Sequence, residues 1–599
     1  MGIESLRIIL IRGYYNLSIF FNLKDFFSKQ KWNYLIGVIW LLIIDSVQLI
    51  VPQLLRGLTN AFQDNGLNNK IILKYVFLIL LTGVTIAVGR FFWRIYILGT
   101  SRELEYYLRK RIFNHLLSLS PNYFNTHKTG DLMAHATNDV NAVRMAIGQG
   151  TIMIVDSLFM IVLSLIMMIK TTNIRLAFIA LFTLPFIVII VSRFGKIIHK
   201  RFRIVQEAFS DLTDITQESF SGIRVVKSFV QEDLIQNKFA GVNKDNLKKN
   251  LSLVKISGTF HPFIQLVSSI SFLLVILYGG KEVILNKISL GDFIAFNSYL
   301  GLLVWPMMAL GWVINIFQRG AASMDRINVI LAETPEIVDR LDSIELENPK
   351  GKIQFKNVSF KYPGSDNYAL ENISFSIEQG KSLAIIGRTG SGKSTIVSIL
   401  LRLYDIQKGN ILFDDIDIKD LSLISLRENI GYVPQDNFLF SNTIEENIAF
   451  SFDEPVSPER VIKAAKLSEV YNNIVEFENG FETILGERGV TLSGGQKQRT
   501  SIARALIKEP SVLILDDSLS SVDTETEEKI LNNLKTIMNS KTTIIISHRI
   551  STIKDCDEII FLTDGKITER GTHESLLLDN GSYKELYENQ LLEEKIVNN

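Results

Sequence analysis

Six long blocks of apolar side chains, all within the first 330 of 599 residues, constrain this chain more than any other feature. Gly258–Gly280 and Phe293–Gln318 contain no Asp, Glu, Lys or Arg. Trp32–Leu54, Ile71–Gly89, Gly150–Ile169 and Leu176–Ser192 are almost as apolar. Each approaches the roughly 20 residues with which a helix crosses about 30 Å of hydrocarbon. Packed in a water-soluble core, six such helices would leave too little polar surface to cover them. The blocks predict membrane helices with spans at about 32–54, 71–98, 150–170, 174–194, 258–280 and 291–318.

Whole-chain composition hides this division. The 63 basic and 63 acidic residues cancel, but residues 1–330 carry 34 basic and 19 acidic side chains (34 − 19 = +15), so the remainder carries −15. A balanced total without a long basic run argues against a nucleic-acid partner. Cys556 is the single cysteine, which excludes an intramolecular disulfide and suits a reducing compartment. The links at about 100–149 and 193–257 are long and basic, with Arg109-Lys110-Arg111 in one and Lys200-Arg201-Phe202-Arg203 in the other. The positive-inside rule puts both links, and both termini, in the cytoplasm. No cleavable signal is expected, and Leu17–Phe27 is too short to span, so an interfacial helix is predicted there. Both links show helical periodicity and should extend the membrane helices into the cytoplasm. Thr129-Gly130-Asp131 and Ser221-Gly222-Ile223 interrupt that periodicity as turns on which another element would dock.

After Thr334-Pro335 the pattern changes to short strands and helices, which divides the chain into a membrane domain (1–330), a linker (331–350) and an α/β domain (351–599). Lys352–Lys361 alternates like a strand, and Leu383–Ile386 is a short buried strand. The latter leads into Gly387-Arg388-Thr389-Gly390-Ser391-Gly392-Lys393-Ser394-Thr395, a P-loop. In such a loop the glycines turn backbone N–H groups toward phosphate oxygens at a helix N-terminus. Lys393 is placed to neutralise phosphate and Ser394 to ligate Mg²⁺. A further strand, Val512–Leu515, ends in Asp516-Asp517, and Asp516 suits the metal-holding position. Leu492-Ser493-Gly494-Gly495-Gln496 lies between these elements and is equally readable as a helix N-cap with a glycine-rich turn.

Taken together, these residues resemble the ATP-binding cassette (ABC) family. The resemblance implies a six-span α-helical exporter fold fused to an α/β P-loop ATPase, working as a dimer with ATP and Mg²⁺. It implies that Tyr362 stacks on adenine and that Gln435, in Val433-Pro434-Gln435, senses Mg²⁺ and the attacking water. It makes Ser493, Gly494, Gly495 and Gln496 the signature that completes a partner's ATP site, and His548 the switch histidine. Gly486-Glu487-Arg488-Gly489 resembles the loop that contacts the membrane domain, and Ser518–Asp523 the loop that crosses the dimer interface. Thr129–Leu132 with Asn138-Asp139-Val140, and Glu218–Lys227, resemble the coupling loops.

One position departs from the family. Where efficient members follow the Walker aspartate with a catalytic Glu, this chain has Asp517. One methylene fewer withdraws the carboxylate by about 1.5 Å. A displacement of about 1 Å can cost on the order of a hundredfold in rate. With an intact signature, this resembles the degenerate-site half of heterodimeric exporters, whose partner carries the Glu. The alternatives are a homodimeric exporter with slow hydrolysis or a lipid flippase. The expected setting is a bacterial-type plasma (inner) membrane, with membrane lipids and a small amphiphilic drug-like substrate as partners. A soluble DNA-repair ATPase is excluded by the spans, and a peptide exporter is disfavoured. A nucleotide-gated regulator or channel is a further alternative. Asp45 and Asp156 lie within spans, where carboxylates either bind a cationic substrate or are satisfied inside the bundle. Trp305 and Trp312 line a drug cavity or serve as packing and interface residues.

Overall fold

A computed structural model describes residues 19–597, apart from 66–68, 183, 487, 488, 490, 520, 521, 523, 539 and 540. Glu487 and Arg488 of the loop at 486–489, and Ser520, Ser521 and Asp523 of the loop at 518–523, lie outside the described residues, as do both termini. The chain forms two compact units, Met1–Leu117 with Lys128–Glu333, and Ser118–His127 with Thr334–Asn599.

In the first unit, six helices among the described residues are long and apolar enough to cross a membrane. They are α1 (Ile19–Asp64), α2 (Asn69–Ser118), α3 (Thr129–Thr171), α4 (Ile174–Ser221), α5 (Glu232–Ile284) and α6 (Leu290–Ala332). At 53 residues α5 rises about 80 Å, far beyond the apolar layer, so the basic links are continuations of the membrane helices. α6 starts at a capping box, Ser289 with Asp292, which satisfies first-turn N–H groups. Tyr299, Phe296 and Met168 are fully buried where α6 packs on its neighbours.

One sequence expectation changes here. Thr129-Gly130-Asp131 is a helical part of α3 rather than a turn, and Asn138–Val140 is helical as well. Asp139 is buried and accepts from Ser323 (2.8 Å) and Arg326 Nε (2.9 Å) of α6, and it contacts His135 Nδ1 at 2.6 Å. Burial would raise its pKa, but hydrogen bonds from Arg326, His135 and Ser323 hold it down to about 2. The break instead lies upstream, where Pro121 opens a separate helix, Pro121–Thr126, between extended Ser120 and His127. Proline favours the first helical position and keeps its predecessor extended, a stronger stop than a glycine that can stay helical. At Gly222 the turn is present, and the short helix Ile223–Ser228 follows it. Phe220, Val225, Phe229 and Val230 around that helix are 61–79% exposed.

The second unit holds two sheets. An antiparallel sheet joins β1 (Ile353–Phe360), β2 (Leu370–Ile377), β4 (Lys408–Phe413) and β5 (Ile416–Asp417) in the order β2-β1-β4-β5. The larger sheet has the order β10-β9-β3-β8-β7-β6. Its members are β3 (Ser382–Gly387), β6 (Ile430–Val433), β7 (Val512–Asp516), β8 (Thr542–Ile546), β9 (Glu558–Thr563) and β10 (Lys566–Gly571). β6, β7, β8, β3 and β9 are parallel. Every residue of β3, β7 and β8 is buried, which explains their unbroken apolar runs.

Candidate nucleotide site

The register of the parallel strands aligns four loops at one edge. Val433 pairs with Leu515, Asp516 with Ile546, and Ile546 with Ile385, so β6, β7, β8 and β3 end together. Ligands bind at this carboxyl edge in open α/β sheets. Gln435 follows β6, Asp516-Asp517 closes β7, His548 follows β8, and the P-loop follows β3.

The P-loop backbone depends on glycine. Gly390 and Gly392 have φ of 83° and 100°, and a Cβ on Gly392 would sit 2.7 Å from the Ala369 carbonyl. Arg388, Thr389 and Gly390 are exposed at the loop's crest, whereas Ser391 is 4% exposed and its Oγ has no hydrogen-bond partner among the described residues. The helix α7 (Lys393–Leu400) follows, with Thr395 buried at its start. Lys393 is 7% exposed, and its Nζ donates to the carbonyls of Gly387 and Arg388, both at 2.9 Å. Burial lowers its pKa against the opposing pull of Asp516 and Asp517.

Ser394 Oγ donates to Asp516 Oδ1 at 3.2 Å. Asp516 is 2% exposed, and burial raises its pKa. The Ser394 hydrogen bond opposes that rise, Asp517 adds to it, and Lys393 and His548 offset part of it. Asp517 adopts the left-handed region with φ of 46°, which Asp tolerates better than most residues, and its N–H donates to Ile546 O at 2.9 Å. His548 joins Gly387, Arg388, Thr389, Gly390 and Ser391 around a cavity of about 620 Å³.

Tyr362 stands beside the first turn of α7, 3.0 Å from Thr395 Oγ1 through its hydroxyl. Its ring meets Tyr404 edge-on at 5.3 Å. Tyr404 in turn accepts from Asn125 of the Pro121–Thr126 helix at 2.9 Å, and Asn122 and Ser120 of that segment donate to Glu336 at 2.8 and 3.0 Å. Sequence reading missed Tyr404 and also Tyr432, which adjoins Asp516 and whose own pKa is raised by burial and by that carboxylate. Neither lies in a motif: the pairing of β6 with β7 brings Tyr432 beside Asp516, and the bend after α7 brings Tyr404 to Tyr362.

Ser493 caps α8 (Gly494–Leu506) through a capping box with Gln496. The helix-cap reading of this segment is met, and the cap is compatible with the signature reading. Ser493, Gly494, Gly495 and Gln496 do not line the cavity of the P-loop.

The comparisons with known proteins agree with this geometry. Residues 34–307 match the ABC transporter transmembrane region, and residues 370–520 match the ABC transporter family model. The chain belongs to the ABC transporter family. This ABC transporter is 39% identical over 567 residues to the probable multidrug resistance ABC transporter ATP-binding/permease protein YheI of Bacillus subtilis, covering 94% of this chain and 97% of that protein. It is 38% identical to the multidrug resistance-like ATP-binding protein MdlA of Escherichia coli, over 96% of this chain and 97% of the relative. An ATP-dependent lipid A-core flippase of Syntrophus aciditrophicus is 36% identical over 82% of this chain and 81% of that protein. The structure of a bacterial Atm1-family ABC exporter with ATP bound matches with a TM-score of 0.78 and 26% identity, covering 93% of this chain and 99% of that one. The chain is a multi-pass membrane protein and an ATP-driven exporter, and its α/β unit binds nucleotide and hydrolyses ATP for transport.

Proposed function

We propose that this ABC transporter is one half of an unequal exporter pair that moves drugs or amphiphiles out of a bacterial cell across the inner membrane. The observation that carries the reading is Asp517 at the end of β7, beside an Asp516–Ser394 pair and in a chain with an intact, capped signature helix. In this reading residues 1–330 form the membrane domain, 331–350 the linker and 351–599 the ATPase.

ATP and Mg²⁺ suit the residues present. Ser394 Oγ and Asp516 offer hard oxygen donors 3.2 Å apart, the kind of partial shell that Mg²⁺ completes with phosphate oxygens and water. Gln435 joins that shell from the end of β6. The bound metal supplies charge neutralisation at the phosphates. Lys393 exchanges the carbonyls of Gly387 and Arg388 for phosphate oxygens, and the N–H groups of residues 387–395 close around them. Tyr362 stacks on adenine. Asp517 orients the attacking water from a carboxylate one methylene too short, and His548 contacts the γ-phosphate from the other side. Ser493, Gly494, Gly495 and Gln496 contact the ATP held by a partner whose own catalytic position is Glu. Pro121–Thr126 and the exposed helix at 223–228 carry closure of the ATPases to the membrane helices.

The test is ATPase activity of the purified chain alone and with a candidate partner bearing Glu. Activity only in the pair is expected, and brisk turnover by the chain alone would overturn the unequal pairing. Lipid translocation is the second reading, favoured by the similarity to lipid A-core flippases. Vesicles that report dye extrusion and labelled-lipid translocation side by side separate the two.

A further inference from the structure

The membrane unit contains a cavity of about 420 Å³ on α3 and α6, lined by Gln149, Met153, Trp305, Trp312, Asn315 and Arg319. Trp305, Trp312 and Arg319 recur every seven residues, which puts them on one face of α6 along about 21 Å of helix. The two indoles meet edge-on at 5.7 Å, and Trp305 leaves 54% of its surface exposed. Arg319 is the first charge after the uncharged stretch Phe293–Gln318. Its exposed guanidinium therefore marks the level where the hydrocarbon layer ends.

Among the described residues that line this cavity, the polar groups are one guanidinium, two carboxamides and two indole N–H groups, with no carboxylate. The carboxylates within the spans lie elsewhere. Asp45 is 2% exposed and lies beside Asp156, with the exposed Arg90 near both, and none of the three lines this cavity. A cation entering the cavity would find no counter-charge and would meet Arg319. An anion would find five N–H donors on a planar fork and an apolar wall of indole leading away from it.

We propose that this cavity binds the transported molecule as an anionic amphiphile, with a phosphate, sulfonate or carboxylate head on Arg319 and the apolar body along Trp312 and Trp305. The proposal rests on the exporter reading and adds the charge of the cargo, which no sequence motif reveals. Arg319 is the specificity-determining residue. Trp305 and Trp312 contribute apolar area without charge preference.

The test uses the full-length chain in nanodiscs of neutral lipid and three photoreactive diazirine probes: hexadecyl phosphate, a two-chain phosphatidate and hexadecyltrimethylammonium. Labelling within 305–319 is mapped by mass spectrometry and normalised to labelling of lipid-facing residues of α2 such as Leu73, Phe77 and Leu80. Labelling by at least one phosphate probe should exceed that by the ammonium about tenfold, as a charge-assisted contact predicts. Preference for hexadecyl phosphate marks an organic anion as cargo, and preference for phosphatidate marks a lipid. Arg319→Gln should bring the probes to parity, whereas Arg319→Lys should retain most of the preference. Equal labelling by all three probes, or a preference that survives Arg319→Gln, would overturn the assignment. ATP-driven transport is measured separately in vesicles. Its failure with the anion preference intact would count against the exporter reading and not against the cavity.

Discussion

Each unit buries an aspartate, and the two are held in opposite ways. Asp139 in the membrane unit is surrounded by His135, Ser323 and Arg326, which hold its pKa down to about 2. Asp516 at the carboxyl edge of the sheet accepts from Ser394, adjoins the Tyr432 hydroxyl and has the carboxylate of Asp517 as a neighbour; burial first, and then Asp517, raises its pKa. A buried charge with a full set of donors belongs to the fold, since its cost is offset inside the protein. A buried charge left short of donors awaits a cation. Between these two aspartates the difference lies in the donor set rather than in burial.

The sharpest way to break this contrast is to neutralise both. Asp516→Asn should cut single-turnover hydrolysis at this chain's own P-loop by about a hundredfold or more, because the carboxylate that would hold the metal is lost. Its folded yield and melting temperature should hold or rise, since an unfavourable burial is relieved. A large drop in melting temperature would show that Asp516 is structural after all.

Asp517→Glu sharpens the contrast within the site. Restoring the missing methylene should raise hydrolysis at this chain's own P-loop about ten- to a hundredfold. The gain should appear in single-turnover rates with ATP affinity unchanged. An unaltered rate would mean that the left-handed backbone at 517, and not the side-chain length, sets the limit.

Asp139→Asn is the counterpart in the membrane unit. Loss of the charge strands Arg326 and should cost about 2–3 kcal/mol of stability, read by thermal or denaturant unfolding, with hydrolysis per folded molecule unchanged. The sign with pH follows from a folded-state pKa below the ordinary value of about 3.9. The stabilisation is complete above about pH 4 and is lost as pH falls toward 2. Asp139→Asn should remove that slope.

These differences set how much was legible in the sequence. The apolar blocks announced six membrane helices because lipid tolerates no other use of such lengths. The P-loop and the β7 aspartates were legible because glycine spacing and an apolar run ending in carboxylates fix local chemistry. The turn expected at Gly130 is helical in the structure, since glycine is permissive and Pro121 forces the break. Whether Asp139 is a docking or a packing residue depends on Ser323 and Arg326, more than 180 residues away, which no local window contains. Tyr404 and Tyr432 were invisible for the same reason.

Tyr404 gives the smallest and most specific effect. Its ring touches Tyr362, the expected adenine platform, and its hydroxyl accepts from Asn125 of the Pro121–Thr126 helix. Tyr404→Phe keeps the ring contact and removes only that hydrogen bond, worth about 1 kcal/mol. ATP affinity should therefore change less than about twofold, while the stimulation of ATPase by transported substrate should fall about fivefold, the equivalent of that one bond. Asn125→Ala should give the same loss, and the double variant no more than either single one, because both remove one shared contact. Additive losses would mean that the two residues act separately, and that the adenine platform is not linked to the docking helix through Tyr404. A fall in ATP affinity alone would place Tyr404 with the nucleotide platform and leave coupling to the exposed helix at 223–228.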